Sequence, residues 1–189
     1  MIHYLKKHFE LGPKAVAALQ QVVETKEYRQ GEHLFHSQNN CYDYFFVSSG
    51  LARVYVNDDQ GKEQTLWLVR ENRIVSPMQA LLRKRKLRYS CELQTSARVN
   101  RIFHADLVRL MSQFPELTEA FMGLFCQFND DALSYIAESK KPCQNRLLSF
   151  MRSNREVYGM MQFRHLASYL GVTPETLSRV KRAILKQEI

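Results

Sequence analysis

No stretch of 18 consecutive apolar residues occurs in this 189-residue chain, and no apolar signal core lies within its first residues, MIHYLKKHFELG. Neither membrane insertion nor export is therefore expected, which makes the cytoplasm the expected compartment. The four cysteines, Cys41, Cys91, Cys126 and Cys143, stand singly, without a C-x-x-C pair. Reduced thiols rather than disulfides follow. The histidines (His3, His8, His33, His36, His104 and His165) show no zinc-binding spacing, so no metal site is expected. No nucleophile–base pair, metal motif or phosphate loop is legible, which argues against an enzyme. Low-complexity linkers and internal repeats are also missing. A composition of 45% apolar and 24% charged residues is ordinary globular chemistry, enough for one sizeable core or two small domains.

What is present is an uneven charge. Residues 140–189 hold ten Lys and Arg against Glu156, Glu175 and Glu188, so nearly all of the net charge of +8 sits in that one segment. A polyanion partner accounts for such concentration, because each neutralised phosphate releases counterions.

The same segment contains FRHLASYLGVTPETLSRVKRAIL, from Phe163 to Leu185. Phe163, Leu166, Ala167 and Leu170 recur at helical spacing, and Gly171 follows as a left-handed terminator. Thr173 is a good N-cap, Pro174 suits the first helical position, and Glu175 falls in the positive first turn. A second helix is thus predicted over 174–186. At about 100° per residue, Leu177, Val180 and Ile184 share one stripe of it. Glu175, Ser178, Arg179, Arg182 and Lys186 share the opposite one. Two helices joined by about three residues form a helix-turn-helix, whose second helix enters a DNA major groove. A helical hairpin in a bundle would show the same apolar spacing.

Upstream, Phe45, Val47, Leu51, Val54 and Val56 lie in short β-branched or aromatic runs, and NDDQGK from Asn57 to Lys62 is a hairpin turn signal. Many short strands with turns between them predict an antiparallel sandwich or barrel. Pro115 opens a helical stretch in which Phe121, Phe125, Phe128, Ala132 and Tyr135 repeat at heptad spacing. Such a seam pairs with another helix or packs on the chain's own β-domain, and spacing leaves both open.

LASYLGVTPETLSR resembles the helix-turn-helix of the catabolite-activator and fumarate-nitrate-regulator (CRP/FNR) superfamily of bacterial transcription factors. The stretch from Tyr28 to Val69, with Gly31-Glu32 and Ser49-Gly50, resembles its N-terminal β-roll. The resemblance implies an α+β fold: an antiparallel, jelly-roll-like β-roll of the cyclic-nucleotide-binding type over 1–114, a long dimerisation helix over 115–139, and a helix-turn-helix domain over 140–189. It also favours a parallel homodimer through Phe121, Phe125, Phe128, Ala132 and Tyr135, and therefore a near-palindromic site. The order Glu-x-x-Ser-Arg is similar to the reading triplet of the oxygen-regulator branch, whose half-sites contain TTGA. Glu175, Ser178 and Arg179 are expected to read bases, with Thr173, Lys181, Arg182 and Lys186 on the DNA backbone. RNA polymerase is the expected further partner, and a ligand-binding or protein-interaction module that has lost specific DNA binding is the alternative.

Departures from the family pattern bear on cofactors. Where such rolls carry a Gly-Glu pair and an Arg-Ser pair for a cyclic nucleotide, this chain has Ser76-Pro77 and Leu87-Arg88, so that ligand is not expected. The clustered cysteines of the iron–sulfur members are missing, so no cluster is expected, while haem stays open because histidines and cysteines exist to ligate it. The basic block Arg83 to Arg88 falls where the family's phosphate site lies. It is a solvated loop or, through Arg83, Lys84, Arg85 and Arg88, a cradle for another anionic effector. The sequence as given ends at Ile189, short of the wing that many members add, which implies fewer DNA-backbone contacts.

Overall fold

The computed structural model describes residues 1–187 except 40, 79–81, 83–86 and 154, and the side chains of these residues except 153, 156–157 and 185–187. Among the described residues, two short helices, α1 (Ile2–His8) and α2 (Pro13–Val22), precede eight strands: β1 (Glu24–Tyr28), β2 (His33–Phe35), β3 (Asp43–Ser49), β4 (Ala52–Asn57), β5 (Glu63–Val69), β6 (Arg73–Val75), β7 (Ser90–Leu93) and β8 (Ala97–Phe103). Helices follow: α3 (His104–Gln113), α4 (Pro115–Ser139), α5 (Cys143–Ser153), α6 (Arg155–Tyr158), α7 (Phe163–Tyr169) and α8 (Pro174–Gln187).

The strands form two antiparallel four-stranded sheets, ordered β1-β8-β3-β6 and β2-β7-β4-β5. The fold is α+β, with a jelly-roll-like β unit followed by a long helix and C-terminal helices. Strand β3 is buried on both faces, and period-two alternation explains how. Phe45 and Val47 point between the sheets with Phe35, Val69, Leu93 and Val99. Tyr44 and Phe46 point the other way, into a core made with Leu5, Leu19, Leu107, Leu117 and Phe121 from the helices. A third core joins Leu147, Phe150, Leu166, Ala167, Leu170, Leu177 and Ile184, and Leu51 and Leu68 of the roll reach into it.

Turns carry the local chemistry that the sequence announces. In NDDQGK, Asp58 Oδ1 accepts from the amides of Gln60 and Lys62 at 3.0 and 2.9 Å, and Gly61 has φ +76°. At Gly50, φ is +97° and a Cβ would lie 2.7 Å from that of Ala97, so no other residue fits.

Helix α4 starts at Pro115, and its packing takes Phe121 out of the expected seam. Phe121 is fully buried in its own chain's core, and Phe125 is half-buried against the same cluster, its ring 6.0 Å from that of Tyr44. Phe128 lies 4.9 Å from Trp67, Ala132 is half-buried, and Tyr135 donates its hydroxyl to the Tyr169 carbonyl at 2.8 Å. Phe121 is sealed from any partner, whereas Phe125, Ala132 and Tyr135 are half-buried against the roll and α7 and Phe128 stays 41% exposed. The face left exposed is offset by one residue: Met122, Cys126, Asn129, Leu133 and Ile136, again at heptad spacing. Two stripes about 100° apart share one helix, and the more aromatic one has the larger area to bury at home.

Candidate nucleic-acid interface

Helix α7 ends in a Schellman motif. The Val172 amide donates to the Ala167 carbonyl and the Gly171 amide to that of Ser168, both at 3.0 Å, with Gly171 at φ +64°. Two residues later Thr173 Oγ1 accepts from the Thr176 amide at 3.2 Å, capping α8. The sharp turn therefore rests on one glycine and one hydroxyl. Leu177 and Ile184 are buried and Val180 is half-buried against the core, which fixes the rotation of α8.

That rotation leaves Glu175, Arg179 and Arg182 exposed and Ser178 half-exposed. Glu175 is held below the ordinary carboxylate range by its own backbone amide and by the Thr173 hydroxyl, so it meets a partner as an anion. Lys181 is half-buried, its ammonium 5.5 Å above the Tyr158 ring. Thr173 is exposed, though its hydroxyl already serves the cap. The backbone of Lys186 continues α8, and its side chain lies outside the described residues, as do Arg83, Lys84 and Arg85. Arg88 is exposed.

The helix-turn-helix is bonded to the roll by residues that the sequence pattern did not flag. The Thr65 amide donates to Ser168 Oγ at 2.8 Å, and that hydroxyl donates to the Glu63 carbonyl at 3.3 Å. His165, buried, places Nδ1 2.6 Å from Gln94 Oε1. Burial, with Arg53 nearby, pushes its pKa down to about 4. Arg53, fully buried, donates from Nε to Glu92 at 2.7 Å and also pairs with Glu63. Glu63, Glu92 and His165 bring ligand atoms within 4.8 Å of one another, a grouping that could hold a metal ion. The Arg53 guanidinium already takes the cation's place between the two carboxylates. Separation in sequence hid this network, since Arg53, Glu92 and His165 meet only through folding.

The roll interior disfavours a cyclic nucleotide. Leu87, at the family's phosphate-binding position, is buried in the inter-sheet core, and Arg88 beside it points to solvent. Ser76, where the pattern has glycine, is buried with its Oγ unpartnered among the described residues, and no carboxylate follows it. Among the described residues, those at the two key positions do not fit that ligand. Cys41 precedes β3, and Cys91, Cys126 and Cys143 lie on β7, α4 and α5, with burial raising the thiol of Cys41 to about 11 and that of Cys91 further.

Comparison with known proteins accords with this geometry. The family described as the cyclic nucleotide-binding domain matches residues 25–114. The fumarate and nitrate reduction regulatory protein of Vibrio cholerae serotype O1 is 26% identical over 194 residues, covering 96% of this chain and 77% of that one. Residues 25–114 thus match a domain of the cyclic nucleotide-binding type, and the chain as a whole resembles proteins of the CRP/FNR superfamily. Among solved structures, FixK2 from Bradyrhizobium japonicum superposes with a TM-score of 0.73 at 19% identity, over 89% of this chain and 87% of that one. The c-di-GMP-responsive regulator CLP of Xanthomonas campestris gives 0.73 at 13% identity, over 94% and 93%. CRP/FNR proteins are transcription regulators rather than enzymes. Among the described residues, no helix is long and apolar enough to cross a membrane.

Proposed function

We propose that the chain is a cytoplasmic, homodimeric transcription regulator that binds a near-palindromic site in double-stranded DNA. Helix α8 reads TTGA-like half-sites. The observation that carries this is the outward face of α8, where Glu175 and Arg179 stand free of the core one helical turn apart. A carboxylate accepts from cytosine N4, and a guanidinium donates a bidentate pair to guanine O6 and N7. Ser178, between them, is short enough for thymine or phosphate. Lys181, Arg182 and Lys186 act on phosphates, positioning rather than specifying.

The exposed stripe Met122, Cys126, Asn129, Leu133 and Ile136 supports pairing of two copies through α4, with residues different from the aromatic row that the sequence favours. Parallel pairing would set the two α8 helices about one DNA turn apart. RNA polymerase is the further partner of this reading, which invokes no cyclic nucleotide, iron–sulfur cluster or haem. The test is selection from random duplex DNA with purified protein at near-physiological salt. An enriched palindrome of TTGA-like half-sites supports the reading, and recovery of unrelated motifs refutes the assignment of Glu175, Ser178 and Arg179.

A further inference from the structure

The joint between the roll, α4 and the helix-turn-helix forms a half-open cavity of about 280 Å³. This is close to the lower limit for sites that take small organic molecules. It lies outside the roll interior, which Phe35, Phe45 and Leu87 fill. Its walls come from all three units, with Trp67 from β5, Tyr135 from α4, Phe150 from α5 and Tyr169 from α7. The Tyr135 and Tyr169 rings are 4.8 Å apart and those of Phe150 and Tyr169 are 5.5 Å apart, giving one side a continuous aromatic surface.

The polar lining is unbalanced. Its two carboxylates are already engaged, Asp131 by Arg73 at 2.6 Å and Glu138 by Lys141. Two atoms of the lining are nevertheless buried without a hydrogen-bond partner among the described residues, Glu138 Oε2 and Arg146 Nε, and of these only Arg146 Nε is a donor. A buried donor left unpaired is costly, so an acceptor supplied from outside is favoured there. A guanidinium also matches a carboxylate or phosphate in geometry as well as charge.

We propose that this cavity binds a small organic anion with a flat ring, its acid group on Arg146 and its ring against Trp67, Tyr135 and Tyr169. The regulatory consequence rests on the DNA-binding reading above. Because the walls belong to three units, a ligand held by all of them stabilises one setting of the helix-turn-helix against α4. Occupancy then shifts DNA affinity by linkage.

Trp67 is the sole tryptophan of the chain, so its emission reports on the cavity without labelling. The probes are benzoate and phenyl phosphate, with acetate as the anion lacking a ring and benzyl alcohol as the ring lacking an anion, all added to the 189-residue chain. Saturable shifts in Trp67 emission are expected from the first pair only, with dissociation constants on the order of millimolar for ligands this small. Arg146→Met should weaken both at least tenfold at an unchanged denaturation midpoint. Should that variant not fold, Ser134→Phe, at an exposed position on the cavity rim, should abolish the shifts by obstruction. No saturable shift with either aromatic anion, or equal shifts in both variants, overturns the site. Anisotropy of a labelled duplex from the selection, with and without benzoate, separates the two proposals. Unchanged DNA affinity on a bound cavity overturns the regulatory half alone, whereas failure to bind DNA counts against the functional reading and leaves the fluorescence result standing.

Discussion

Replacing Phe121 and Leu133 separately by alanine should have opposite consequences, although both lie on α4 at heptad-spaced positions. Phe121 is fully buried within its own chain, so Phe121→Ala removes a large side chain from a closed core and should destabilise each protomer by about 3–5 kcal/mol. Leu133 is 66% exposed, and its truncation should leave protomer stability within roughly 0.5 kcal/mol. In a dimer sealed by the outward stripe, Leu133 forfeits the burial of that exposed part. A whole leucine is worth about 1.5–3 kcal/mol, so the loss is about 1–2 kcal/mol per copy. Two copies bring the dimer loss to about 2–4 kcal/mol, which weakens association roughly 30- to 700-fold. Sedimentation velocity across a protein dilution series measures the association, and urea denaturation measures the protomer. The reasoning is refuted if Phe121→Ala dissociates a still-folded dimer, or if Leu133→Ala leaves association intact while lowering the urea midpoint.

Arg179→Ala should cost about 1–3 kcal/mol in affinity for the selected site and relax discrimination at one guanine, read by competition among single-base variants. Arg182→Ala should instead weaken all sequences alike and reduce the slope of log affinity against log salt by about one. Arg53→Met leaves Glu63 and Glu92 facing each other without their cation and should destabilise the fold by about 3–5 kcal/mol in chemical denaturation. His165 has a folded pKa near 4, below the ordinary histidine value of 6.5, so between those values the unfolded chain binds the extra proton. The stability it contributes is complete above about pH 6.5 and is lost as pH falls toward 4. His165→Asn, which keeps a donor near Gln94, should flatten that part of the pH–stability curve, and an unaltered curve would contradict the assignment.

Features fixed by neighbours in sequence were legible before folding. The α7 terminator at Gly171, the Thr173 cap and the Pro174 start each depend on backbone chemistry within a few residues, and each appears in place. The Asp58 turn and the Pro115 helix start are of the same kind. The face of α8 followed too, because Leu177 and Ile184 leave only one way for it to dock. The α4 row was only half legible, because its spacing suits packing on the roll as well as pairing with another helix, and burial of Phe121 inside its own chain removes that residue from the expected seam. The Arg53–Glu63–Glu92–His165 network had no local signal, since its members lie on β4, β5, β7 and α7.

The sequence by itself determined where helices begin and end, where the chain turns, which segment is basic and which residues of the reading helix face away from its apolar stripe. These are consequences of dihedral preferences, caps and charge, all short-range or additive. Tertiary structure alone decided which of two apolar stripes on α4 is spent inside the protomer, which charges meet at the roll's junction with the helix-turn-helix, and that a cavity lies among the three units. Those outcomes depend on which surfaces compete for burial once distant segments meet, and one-dimensional spacing holds no record of that competition.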